Sequence, residues 1–154
     1  MTGALAAYLH YLAMALIAVC LAYEYKVCVP GLTSDHARWL AKVDLCYLGA
    51  AMLVLASGLA RALWFGKGLD FYTGNPVFYI KLALFLAMGL ISLPPTRQFL
   101  NWRRSARERG PIEASKHQLL RVRRYIAAEL ILLTCIPLAA VIMARGIGIP
   151  APSP

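Results

Sequence analysis

Residues 4–22 read ALAAYLHYLAMALIAVCLA, an unbroken apolar run with one ionisable group, His10. An α-helix rises ~1.5 Å per residue, so such a run is close to the ~20 residues needed to cross a ~30 Å hydrocarbon core. Three more stretches of the same kind follow, Leu45 to Trp64, Pro76 to Leu93 and Ile126 to Ala144. The pattern predicts an all-α, four-helix transmembrane bundle over residues 1–146, with a short flexible tail, 147–154. The first run lacks the basic flank of a secretory signal and is read as a retained helix. A hydrophobic fraction of 60% fits a chain whose solvent is lipid.

The net charge of +9 is concentrated. Between Arg97 and Arg124 nine Lys or Arg face two Glu, which gives +7 of that total. Beside a bilayer this is the positive-inside signal, which places the segment in the cytoplasm of an inner-membrane protein and both termini outside. Nucleic acid is not an expected partner. Phe99, Trp102 and Ala106 recur at i, i+3 and i+7 among Arg97, Arg103, Arg104 and Arg107. That spacing predicts a basic amphipathic cytoplasmic segment between helices three and four, lying against anionic lipid along the loop 97–124.

Local signals mark the helix ends. Val29-Pro30-Gly31 breaks the chain, and Ser34 is the expected N-cap of a second helix that runs without proline to Phe65. Asn75-Pro76 opens the third helix and Pro94-Pro95 is expected to stop it. The fourth starts near Ser115 and carries Pro137, a kink whose freed backbone groups Thr134 or neighbouring helices can help satisfy. Gly49, Ala50, Ser57, Gly58 and Ala62 give helix two a small-residue face for close packing. Trp64, Phe65, Phe71, Tyr72, Phe78 and Tyr79 suit an outer interfacial belt. The four cysteines contain no C-x-x-C pair, so neither a disulfide framework nor a zinc site is indicated.

Ionisable groups within apolar helices are costly and become the first functional candidates. His10 and Lys81 fall at nearly the same depth near the outer ends of helices one and three, with Arg61 from helix two and Met143 and Arg145 from helix four at that level. Glu24, Asp44 and Glu129 form an opposite layer of proton-bearing or charge-bearing carboxylates near the basic side. One reading makes His10 a metal ligand to heme iron, with Lys81 and Arg61 on propionates and Met14 or Met143 as the opposite axial ligand. The plainer reading makes His10 a hydrogen-bond partner of Tyr8, Tyr11 or a serine across the bundle, lets Lys81 snorkel, and pairs Glu129 with nearby arginines. His36 and His117 lie outside the hydrocarbon, so one chain cannot build an intramembrane bis-histidine heme site.

Taken together, Tyr8-Leu9-His10-Tyr11-Leu12-Ala13, Ala41-Lys42-Val43-Asp44, Trp64-Phe65-Gly66-Lys67-Gly68, Asn75-Pro76, Lys81-Leu82-Ala83-Leu84, Pro94-Pro95-Thr96 and Met143-Ala144-Arg145-Gly146 resemble a family of small bacterial four-helix predicted membrane proteins of unknown function. More distantly, an early histidine in helix one and an early lysine in helix three are similar to the heme-binding membrane protoporphyrinogen oxidase and the copper-resistance D-type membrane proteins. The former resemblance implies, through His10 and Lys81, a heme b or porphyrin site in a redox role. The alternative expectation is a non-catalytic accessory or assembly subunit, either a homo-oligomer or part of a larger membrane complex.

Overall fold

The computed structural model describes residues 2–65, 73–108 and 110–145. Four long helices carry these residues: α1 (Thr2–Val27), α2 (Ser34–Ala60), α3 (Pro76–Glu108) and α4 (Lys116–Ala144). A single turn of π-helix, Arg61–Phe65, extends α2 at its C-terminal end. All four helices are long and apolar enough to cross a membrane. Neighbours in sequence pack side by side and α4 closes back on α1, while the diagonal pairs do not meet through their backbones among the described residues. The buried core runs along the axis of this ring, from Ala13 and Ile17 through Leu21 to Leu40, Phe99, Leu119 and Ile126.

The chain makes these helices start where capping chemistry allows. Thr33 rather than Ser34 caps α2, its side chain accepting from the His36 amide at 3.3 Å. The displaced Ser34 hydroxyl donates instead to the Gly110 carbonyl at 3.2 Å, which ties the loop at 28–33 to the loop that precedes α4. Asn75 opens α3 as expected, with Oδ1 accepting from Val77 N at 2.9 Å. Ser115 and Gln118 form a reciprocal capping box at the start of α4. Gly31 and Gly110 take positive φ values of 90° and 86°, a backbone conformation that side chains rarely adopt, and so turn the chain between helices.

Three expectations are corrected. Pro94 and Pro95 do not stop α3, which continues through both to Glu108. Proline removes one amide and strains the preceding turn, but packing outweighs that local cost where Pro95, Phe99, Trp102 and Ala106 are all buried. The basic amphipathic segment is therefore the distal part of α3, and its apolar stripe faces protein rather than lipid. Phe99 and Trp102 belong to the same core cluster as Leu119 and Val122 of α4. At ~1.5 Å per residue, the 33 residues of α3 measure ~50 Å, so the bundle outruns a ~30 Å hydrocarbon core. Third, Thr134 donates to the Ile131 carbonyl at 2.7 Å, so its hydroxyl is committed away from the Leu133 carbonyl that Pro137 deprives of an amide.

Cation–aromatic pairs mark both ends. Lys42 sits 4.7 Å over Trp39 and Arg123 sits 4.2 Å over Tyr25 at the basic end. Arg61 lies 5.6 Å over Tyr11 and Lys81 lies 5.3 Å over Phe78 at the other. Phe71 and Tyr72 of the expected aromatic belt, and the tail 147–154, lie outside the described residues.

Candidate functional site

Polar side chains sort into two layers on the bundle. His10 and Glu24 are 14 residues apart on α1, which puts the layers ~21 Å apart at ~1.5 Å per residue.

The outer layer is built on α1, α2 and α3. His10 Nδ1 lies 3.0 Å from the Ser57 hydroxyl. Ser57 spends its own proton on the backbone, donating to the Leu53 carbonyl one turn back. With the hydroxyl proton so committed, its oxygen is left to accept, and a ring protonated on Nδ1 would donate to it and keep a lone pair on Nε2. Gly58 makes room for this arrangement, since a Cβ there would stand 3.1 Å from His10 Cε1. The serine across the bundle is thus found. Arg61 follows one turn later, inside the π turn, a feature that often accompanies functional positions. Arg61 and Lys81 both bear electrostatically on His10, and Arg61 bears on Lys81. The three groups named from the sequence are thus within electrostatic reach of one another, on three helices. Neither cation forms an ion pair among the described residues, where the two ion pairs are Arg38–Asp35 at 3.2 Å and Arg104–Glu108 at 2.8 Å.

Met14 packs partly buried against the core one turn below His10. Two ligands one turn apart on one helix cannot reach opposite faces of a flat macrocycle, so Met14 drops out as an axial partner to His10. Met143 is buried near the outer end of α4, the helix that closes against α1.

In the inner layer, Glu24, Asp44 and Glu129 are buried on α1, α2 and α4 with 2%, 7% and 1% exposure. Asp44 accepts from the Thr96 hydroxyl of α3 at 2.9 Å. Tyr47 of α2 bears on Glu129 across the bundle diagonal. Glu129 is not ion-paired among the described residues, so the expected pairing with nearby arginines is not found there. Arg123 is turned to the Tyr25 ring. Ser57, Gly58, Tyr47 and Thr96 are the site residues whose roles the sequence left unassigned. The signal for Ser57 was depth alone, because it lies near the level of His10 on a neighbouring helix.

Cys28, just past α1, is fully buried. Burial pushes its thiol up to about 12, with Glu24 adding to the rise and Arg123 opposing it. Among the described residues, no three His, Cys, Asp or Glu side chains are arranged to hold a metal ion.

No curated protein and no solved structure matches the chain. A family model described as "Predicted membrane protein (DUF2214)" matches residues 2–148, nearly the whole chain. With four apolar helices long enough to span a bilayer, the chain belongs to the DUF2214 family of predicted membrane proteins, whose function is unknown.

Proposed function

We propose that this integral membrane protein binds an amphiphilic, carboxylate-bearing ring in the outer half of its bundle, that the ring is heme b, and that its role is redox. The observation that carries the reading is the His10–Ser57 contact, which orients the one imidazole of the three that is not exposed and, with Nδ1 protonated, would leave Nε2 as its ligating nitrogen. Arg61 and Lys81 stand beside it without carboxylate partners among the described residues, and such cations in a low-dielectric layer favour an anionic guest such as a pair of propionates. His10 would hold the iron, and Arg61 with Lys81 would hold the carboxylates. A bound heme supplies one-electron chemistry, while the chain supplies orientation and charge. The test is the absorption spectrum of the purified protein with added hemin. A Soret band that His10→Ala removes and that Arg61→Met or Lys81→Met weakens supports the reading, and a protein that stays colourless with hemin defeats it.

A second reading, an accessory subunit of a homo-oligomer or larger membrane complex, draws on α3. Met88 is the one buried side chain between Pro76 and Leu93, which leaves that flank facing outward. Co-purification at fixed stoichiometry without a chromophore would favour it. For either reading we place the basic end in the cytoplasm and the termini outside the inner membrane, with exposed Arg97, Arg103, Arg104 and Arg107 meeting anionic lipid headgroups.

A further inference from the structure

The inner layer has chemistry of its own. Glu24 and Glu129 come from neighbouring helices, and each keeps a buried carboxylate oxygen, Oε1 and Oε2 respectively, without a hydrogen-bond partner. The groups that bear on Glu24 from the other helices are Asp44 of α2 and Glu129 of α4. Those that bear on Glu129 are Tyr47 and Asp44 of α2. Cys20 of α1 and Cys28, just past its end, feel Glu24, and Cys20 also feels Cys46 of α2. From α3, Thr96 holds Asp44 and Ser92 meets Tyr47. Among the described residues no cation is ion-paired with Glu24 or Glu129, and Arg123, which reaches Cys28, is stacked on Tyr25.

Unpartnered carboxylate oxygens facing other carboxylates in a low-dielectric core need a positive charge nearby. A metal ion requires several ligands at fixed distances, and no group of three acids, histidines or cysteines among the described residues supplies them. A proton needs one lone pair and no coordination shell.

We propose that Glu24 and Glu129 form a proton-binding pair on the bundle axis, loaded from the end that carries the 28–33 loop. Glu24 lies one turn from that loop, and Asp44, held by Thr96, is with 7% exposure the most accessible of the three acids. On uptake, water or buffer at that end gives up a proton, one O–H bond forms on a carboxylate oxygen, and the donor keeps the electron pair. No electron is transferred. Tyr47 then holds the Glu129 carboxyl in place through its hydroxyl.

Infrared spectroscopy of the full chain in detergent at neutral pH, in H2O and in D2O, tests this without reference to any cofactor. The expected result is a carboxylic C=O stretch that shifts down in D2O, is partly lost in Glu24→Gln and in Glu129→Gln, and is absent from the double variant. Glutamine keeps the side-chain volume. Tyr47→Phe, which leaves both carboxyls intact, is expected to move the band without removing it and so gives an independent check. A spectrum with no such band, a band that survives the double variant, or a band abolished by adding NaCl overturns the proposal.

Discussion

His10 Nδ1 lies 3.0 Å from the Ser57 hydroxyl, and this contact between α1 and α2 fixes which ring nitrogen is turned away from α2. Removing the hydroxyl frees the ring to turn and to change tautomer. Partners that orient a ligating imidazole typically contribute 10–100-fold to affinity, so Ser57→Ala should weaken hemin binding by about 10-fold while the Soret band persists at saturation. Titration of the apoprotein with hemin measures it. Unchanged affinity would mean that the ring is held by something else.

Gly58 offers a second handle on the same ring. Glycine to alanine inside a helix ordinarily gains up to about 1 kcal/mol. At Gly58 the new methyl would stand 3.1 Å from His10 Cε1 and 3.6 Å from Nδ1, so the imidazole must move. Gly49 on the same helix has nothing within 4 Å of its notional Cβ. Gly49→Ala should hold or raise the melting temperature in detergent, and Gly58→Ala should lower it and weaken hemin binding. Equal behaviour of the two variants would remove the steric argument.

The distal part of α3 is tested by its core residues. Phe99 is fully buried and lies 6.0 Å, ring centre to ring centre, from Trp102. Truncating a buried aromatic typically costs 3–5 kcal/mol, so Phe99→Ala should destabilise the whole bundle by about 3 kcal/mol. Thermal or denaturant unfolding in detergent reads this out. A segment lying separately on lipid would leave bundle unfolding untouched.

Cys28 gives the chain a sign-defined response to alkali. A free thiol ionises near 9 and the buried one near 12, so between these values the unfolded chain loses a proton that the folded chain keeps. The Cys28 contribution to stability is therefore complete below pH 9 and declines as pH rises toward 12. Melting temperatures at pH 8 and pH 10.5 should differ more for the wild type than for Cys28→Ala. Folded protein at pH 8 should also resist a water-soluble maleimide at Cys28 and react once unfolded in detergent. Ready labelling of the folded chain would contradict its burial.

What the sequence disclosed and what it withheld follow from the reach of its signals. The four crossings were legible because twenty apolar residues have few other uses, and the starts at Asn75 and Ser115 were legible because capping is chemistry between near neighbours. The bundling of His10, Arg61 and Lys81 was legible from depth, since helix rise is constant. The passage of α3 through Pro94 and Pro95 was not, because the local cost of proline is visible in the chain while the packing of Phe99 and Trp102 that outweighs it is not. Periodicity gave those two residues a common face but could not say whether protein or lipid covered it. The same limit hid the influence of Tyr47 on Glu129, across a diagonal between residues 82 positions apart.

The two prolines in α3 leave the carbonyls of Leu90 and Ile91 without the amides that an unbroken ladder would present to them. Below that point the helix is anchored by the buried Phe99 and Trp102, and above it by buried Met88 with half-buried Phe85. The span of α3 thus combines an interrupted backbone ladder with the sparsest burial of the four, 6% of its apolar window against 22–33% for the others, and so is the crossing its neighbours grip least.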